Sequence, residues 1–335
     1  MFSTFSVALA AILSVSCIVC AGIFFRRSGR LTHEAEQPLL RLTVDLLLPC
    51  LIFDRVLKTD AFSNPQNLWL PPLLGFGLIA VGILVGLCIA FLPTKQNGLT
   101  TWKQRRTFAG CVGNLNYGFV PIPLVMAMFP GDDRTLGVLF VQNLGVEISV
   151  WTLVLFTFMG KIDRKSLRHL INGPSIAIIL SVSLNLLGNS RFVPTVFHEH
   201  VAPCFDFLLM TIHLLGAAGI PISIILTGAI FAEHFHREEI KERLSNTLKI
   251  ACWSILIRLV AMPVMFISIA VWLPCTMEIK RVLIIHGAMG SAIFPMVIVK
   301  HYGGDPKTAF DSIMSNSLLS ILTMPIWIAV GLNLI

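Results

Sequence analysis

The sequence predicts an all-α polytopic membrane protein of ten transmembrane helices, arranged as two inverted five-helix repeats whose fourth and ninth helices are broken and cross. Three observations support this fold class: the composition, a series of apolar segments, and a motif that recurs in both halves. Of the 335 residues, 55% are hydrophobic and 13% are charged, and the mean hydropathy is +0.81. Soluble domains carry about twice that share of charged residues, so this composition excludes a water-soluble globular protein.

Ten segments are apolar enough to be candidate membrane spans, for which about 20 apolar residues are needed. In chain order they are Phe5–Phe25, Pro38–Leu57, Leu68–Leu92, Thr107–Phe129, Leu136–Gly160, Pro174–Leu187, Val201–Ala232, Leu248–Leu273, Val282–Lys300 and Thr308–Leu334. Most of the 25 Lys and Arg residues fall in alternate loops, beginning with the loop after the first segment. The positive-inside rule then places both termini on the extracytoplasmic side of the cell (inner) membrane.

A motif recurs in the fourth and ninth segments. The two copies share a proline, a glycine and an aspartate at the same spacing, followed by an asparagine in the next segment: Pro123, Gly131, Asp133 and Asn143, then Pro295, Gly303, Asp305 and Asn316. Because each copy has five helices, the second enters from the opposite side, a plan frequent in secondary transporters. The predicted units are a first repeat at 1–160, a short cytoplasmic loop at 161–173 and a second repeat at 174–335. Chance likeness between apolar helices is the alternative.

Both of these segments contain residues that interrupt helices: Gly110, Gly113, Pro121 and Pro123 in the fourth, and Gly287, Gly290 and Pro295 in the ninth. Proline removes a backbone donor and clashes with the preceding turn, so neither segment is expected to be a continuous helix. The free amides at the start of a half-helix favour an anionic group, and the side chains of Asn114, Asn116 and Ser291 add neutral donors. We therefore expect a substrate site at these residues and at Pro123 and Pro295. A kink that binds no ligand is the alternative.

Ionisable residues inside apolar segments are costly and usually face a partner or a water path. Glu147, in the middle of the fifth segment, is the first candidate for proton coupling, and Asp45 in the second segment is another. Arg258 in the eighth segment is expected to form a structural ion pair with an acid. Cys17 and Cys20 have CxxC spacing but lie inside an apolar segment, where small packing residues are more common than ligands, so no metal site is expected.

At several of these positions the chain resembles the auxin efflux carrier family, which includes the plant PIN-FORMED carriers and bacterial relatives. The resemblance covers nearly the whole chain. It rests on motifs in the fourth, fifth, eighth and ninth segments: Asn116 with Ile122-Pro123-Leu124, Val141-Gln142 and Trp151, Arg258 with Pro263, and Pro295 with Lys300 and Tyr302. A bacterial-type relative is the closer match, because the loop between the halves is short.

The resemblance implies a scaffold of spans one, two, six and seven, a mobile part made of the other spans, and elevator-type alternating access. It also implies a homodimer in the lipid bilayer, with substrate on Asn116 and neighbouring groups that include Tyr117 and Gln142. Tyr117 replaces a small polar residue of the family. We therefore expect a small organic anion, a carboxylate of the auxin-like kind, rather than auxin itself.

Two other classes of function are the alternatives. An anion channel would share the same membrane topology. An intramembrane enzyme would need convergent acids, a metal site or a nucleophile, and the sequence contains no HExxH, GxSxG or DxxD motif. We therefore predict a secondary active transporter without enzymatic activity, cofactor or nucleic-acid partner.

Overall fold

The computed structural model describes residues 2–160, 166–189, 202–234 and 244–335, and within them all regular structure is helical. The α-helices are α1 Phe2–Arg27, α2 His33–Leu42, α3 Leu48–Lys58, α4 Gln66–Ala90, α5 Thr94–Asn97, α6 Trp102–Gly113, α7 Pro121–Met128, α8 Asp133–Ser149, α9 Leu155–Met159, α10 Gly173–Asn189, α11 Ala202–His234, α12 Leu244–Leu256, α13 Met262–Trp272, α14 Met277–Ala288, α15 Phe294–Tyr302 and α16 Pro306–Leu334. The predicted all-α class is confirmed.

Six helical segments of the described chain are long and apolar enough to cross a membrane. They are Thr4–Arg27, Gln66–Ala90, Asp133–Met159, Phe207–Ala232, Asn246–Trp272 and Pro306–Leu334. The other predicted spans fall short for physical reasons: one is rich in charge, one is the shorter apolar helix Gly173–Leu187, and two are interrupted. The arrangement of ten helices in two inverted repeats stays a prediction.

Three turns of π-helix join helices end to end: Thr43–Leu47 between α2 and α3, Val150–Val154 between α8 and α9, and Ile257–Ala261 between α12 and α13. Pro49 and Pro263 each lie two residues after such a turn. A proline has no N–H, and its ring clashes with the carbonyl four residues earlier, which here lies inside the π turn. The prolines therefore account for two of the three widened turns.

The helices pack in two groups. One, the scaffold group, consists of α1, α2, α3, α10 and α11; the other, the crossover group, contains α4, α6–α9 and α12–α16. The two groups also pack against each other, where α1 meets α16 and α7 and where α3 meets α8. In the scaffold group α1 and α11 approach closely at Gly22 and Gly228, where an added Cβ would lie 2.1 Å from Ile225 O and Val19 O, respectively. Small residues that let helix backbones approach are typical of membrane helix pairs.

Candidate functional site

Two helices of the crossover group are interrupted where the sequence predicts. The first breaks between α6, which ends at Gly113, and α7, which begins at Pro121; the second breaks between α14 and α15. The prolines Pro121 and Pro295 lie in the first turn of the restarted helices, where a missing N–H costs no helical hydrogen bond. A proline therefore lies at the start of each restarted helix.

The two interruptions meet. Leu115 and Ser291 form an antiparallel backbone bridge, in which Asn116 N donates to Gly290 O (3.0 Å) and Ala292 N donates to Asn114 O (3.1 Å). We call the paired segments, residues 114–120 and 289–293, the crossover. Backbone groups that leave a helix inside a membrane need partners in the protein, and here each broken helix supplies partners to the other.

In each half of the chain, an asparagine on the helix that follows the restarted half-helix is hydrogen-bonded to the crossover. These helices are α8 in the first half and α16 in the second. Asn316 on α16 is fully buried; its Oδ1 accepts from Ser291 N (2.7 Å), and its Nδ2 donates to Ser291 Oγ (2.9 Å), Ser254 Oγ (2.8 Å) and Ser312 O (2.8 Å). Asn143 on α8 donates through Nδ2 to Tyr117 O (3.0 Å). The repeated motif pointed to both residues, but the predicted substrate site omitted them.

A cavity of about 200 Å³ lies between the crossover and the scaffold group. Asn116 and Ser291 line it from the crossover, and Ser16 on α1 and Thr227 on α11 face them from the scaffold. Most of the remaining lining is apolar and includes Val15, Val19, Ile23, Leu124, Phe231 and Met324. The cavity therefore suits a small molecule with one polar end and an apolar body.

The other five predicted substrate residues lie outside this cavity lining. Pro123 and Pro295 are buried at the starts of α7 and α15. Asn114 is fully buried, and its side-chain oxygen and nitrogen have no partner among the described residues. Gln142 is buried against His286, with 2.8 Å between Nε2 and Nδ1. The predicted substrate site left out His286, because its pairing with Gln142 joins the two halves of the chain and leaves no mark on either sequence segment.

Tyr117, the fifth of these residues, connects the crossover to Glu147. The Tyr117 hydroxyl donates to Glu147 Oε1 (2.9 Å), and the Trp151 indole Nε1 donates to Glu147 Oε2 (3.0 Å). The Trp151 ring in turn stacks on the His169 ring, with 4.5 Å between their centroids. Glu147 is therefore hydrogen-bonded to Tyr117, the residue next to Asn116 in the crossover.

Asp45 is placed differently. It is exposed in the π turn Thr43–Leu47 and packs beside Gly173 at the start of α10. No hydrogen bond or ion pair in the described part of the chain joins it to Glu147 or to the crossover. The structure thus brings one of the two proposed coupling acids to the site.

The expected ion pair of Arg258 requires a correction. Arg258 is fully buried, yet among the described residues no carboxylate lies within ion-pair distance of it. Instead its Nε donates to Met289 O (2.8 Å) and its Nη2 donates to His286 O (3.0 Å). These carbonyls belong to the C-terminal end of α14 and the residue after it, where helical carbonyls lack partners and a cation is favoured.

Comparison with known proteins supports a role in transport. The family model described as "Membrane transport protein" matches residues 7–166 and 159–328. The chain is 23% identical over 318 residues to an uncharacterized transporter of Methanothermobacter thermautotrophicus, an alignment that covers 94% of this chain and 96% of the relative. It is also 23% identical over 338 residues to an uncharacterized transporter of Methanocaldococcus jannaschii, with 96% and 98% covered.

Proposed function

Because the chain belongs to the membrane transport protein family, we propose that it is a secondary active transporter of a small organic anion that binds at the crossover. The observation that carries this proposal is the cavity of about 200 Å³ in which Asn116 and Ser291 present polar groups beside an otherwise largely apolar wall. A carboxylate would lie against Asn116 and Ser291, and an apolar body would fill the remainder.

The charge of the ligand follows from the ends of the broken helices. The N-termini of α7 and α15 both begin at the crossover, and a helix N-terminus carries a partial positive charge. At α7 this charge acts without free amides, because Pro121 and Pro123 have no N–H and the amides of Ile122 and Leu124 donate to Gly118 O and Val120 O. In transporters, half-helix N-termini at midmembrane commonly hold the anionic group of a substrate. An auxin-like carboxylate, with one acid group and an apolar ring, would match both the polar groups of Asn116 and Ser291 and the apolar lining.

The transport cycle that we infer is elevator-type alternating access. Val15 and Thr227 line the cavity from the scaffold group, whereas Asn116 and Ser291 line it from the crossover group, so the ligand would lie between the two groups. Movement of the crossover group along the scaffold would carry the ligand across the membrane. The two inverted five-helix repeats at 1–160 and 174–335 would give this cycle its two related end states.

The placement in the membrane belongs to the same proposal. The alternating basic loops favour the cell (inner) membrane with both termini extracytoplasmic. The scaffold group exposes large apolar side chains such as Ile176, Ile179 and Leu184 on α10, which suit lipid or the second copy of a homodimer.

Solute counterflow tests the proposed function. A thermal-shift screen of small carboxylates against the purified protein supplies a ligand, which is then used in radiolabelled form with proteoliposomes. Vesicles preloaded with unlabelled ligand are expected to accumulate the labelled ligand transiently above equilibrium, because a carrier exchanges one bound molecule for another. An anion channel gives uptake without this overshoot, and an intramembrane enzyme gives a chemically altered product.

Glu147 provides a prediction about coupling. A carboxylate away from water is costly when charged, and one that can reach water in part of the cycle can carry a proton. The Glu147→Gln substitution keeps the size of the side chain and an oxygen that can accept from Tyr117 or Trp151. The glutamine cannot gain or lose a proton, so the charge at this position no longer changes with pH. We expect this variant to lose the pH dependence of net uptake between about pH 5 and 8 while it still exchanges bound ligand.

The matched control is Glu278→Gln, which removes a partly exposed acid in the first turn of α14 and should keep the wild-type pH profile. Wild-type uptake that does not vary with pH, or a Glu147→Gln profile like that of the wild type, would assign Glu147 a structural role. The membrane potential acting on the anion, about 2.3 kcal/mol per charge per 100 mV, would then be the driving force.

A further inference from the structure

Arg258 places a full positive charge inside the protein without a counter-charge. The guanidinium is fully buried, donates to the carbonyl oxygens of Met289 and His286, and lies 6.0 Å from the centre of the Phe266 ring. Its Nη1 has no hydrogen-bond partner among the described residues. Glu147, the acid bonded to the crossover, accepts its hydrogen bonds from Tyr117 and Trp151 instead.

This charge lies directly behind the wall of the cavity. Met289, whose carbonyl accepts from Arg258 Nε at 2.8 Å, lines the cavity together with its neighbours Gly290 and Ser291. Because the guanidinium is buried, solvent does not screen it, and its field reaches farther than that of a surface charge. Helix-end carbonyls offset only part of a unit charge, since a helix C-terminus carries about half an elementary charge.

An isolated buried charge is unfavourable unless a partner compensates it. A neutral donor could also bind the free carbonyl oxygens at the C-terminal end of α14. Capping of the helix therefore does not by itself explain why a charged guanidinium occupies this position. A bound anion in the adjacent cavity would supply the missing negative charge whenever the site is filled.

We propose that Arg258 sets the charge selectivity of the cavity: it is the fixed positive charge that makes the crossover prefer an anion to an uncharged molecule of the same shape. This inference rests on the proposed function and extends it with a specificity residue that does not itself line the cavity. Arg258 acts through the Met289–Ser291 segment and is therefore a positioning and electrostatic residue.

The test compares two probes of nearly equal shape, phenylacetate and its uncharged analogue phenylacetamide. Dissociation constants are measured by calorimetry on the purified full-length protein. We expect the wild type to prefer phenylacetate by about tenfold or more, which corresponds to about 1.4 kcal/mol. Arg258→Gln should reduce this preference to about twofold or less, whereas Arg258→Lys, which keeps the charge, should retain most of it. Arg281→Gln is the matched control, because it removes a partly exposed arginine that pairs with Asp132 outside the cavity.

A second pair of variants leaves Arg258 in place, in case its removal prevents folding. Phe266→Glu puts a carboxylate beside the guanidinium and should abolish the preference, while its uncharged match Phe266→Gln should keep it. A preference for phenylacetate that survives both Arg258→Gln and Phe266→Glu would overturn this inference alone. A wild type that binds neither probe, or both equally, would instead contradict the proposed anion site.

Discussion

Asn116→Ala is expected to reduce carboxylate counterflow to near background, a loss of about 10- to 100-fold. Asn116 is a polar residue of the first break that lines the cavity, and its backbone N–H donates to Gly290 O. Alanine removes the side-chain amide donor but leaves the backbone bridge intact. A hydrogen bond to a charged group contributes about 1.5–3 kcal/mol, which gives the expected range.

The measurement is the initial rate of counterflow in proteoliposomes containing equal amounts of folded protein. Asn333→Ala serves as the control, because it removes an exposed asparagine at the end of α16 that bonds only to its own helix. If the Asn116→Ala variant has the rate and affinity of the wild type, Asn116 does not bind the substrate. The anion would then have to bind on the Ser291 side of the cavity.

Asn316→Ala should produce the largest loss of stability of any single change at the crossover. It removes the Asn316 Oδ1 acceptor and the two donors of Nδ2, and leaves both Ser291 N and Ser291 Oγ without this partner inside the protein. Hydrogen bonds between membrane helices contribute about 0.6–2 kcal/mol each, and buried groups left unpaired add to the cost, so we expect a loss of about 2–4 kcal/mol in the free energy of unfolding.

Asn143→Ala is the matched comparison, because Asn143 holds the other break through one hydrogen bond, to Tyr117 O. Its expected cost is about 1 kcal/mol. The two variants are compared by equilibrium unfolding of the purified protein in detergent. If Asn316→Ala is no more destabilising than Asn143→Ala, the hydrogen-bond network around Ser291 does not hold the second break in place.

The sequence was sufficient to locate the breaks, because glycine and proline act on the backbone where they stand. Pro121 and Pro295 each open a half-helix, as their chemistry requires. The equivalence of Asn143 and Asn316 was also visible as a repeat. Their function was not, because it depends on which groups the chain brings within 3 Å across the fold.

The cavity wall contributed by the scaffold could not be predicted. Val15, Val19 and Phe231 are apolar residues in apolar helices, and nothing in the sequence distinguishes side chains that face a ligand from those that face lipid. The partner of Arg258 was misjudged for a related reason. Carbonyl oxygens at the end of a helix are strong acceptors, but every residue has one, so a sequence search for a partner considers only acids.

The backbone bridge between Leu115 and Ser291 has a consequence for leakage. Sliding one broken helix without the other would break the bonds that join the carbonyls of Gly290 and Asn114 to the amides of Asn116 and Ala292. At about 0.6–2 kcal/mol for each hydrogen bond between membrane helices, the two bonds together disfavour such a slipped state by about 1–4 kcal/mol. The bridge therefore joins both half-sites into one mechanical unit. In the proposed carrier, this coupling would limit the passage of ions and water through a slipped crossover.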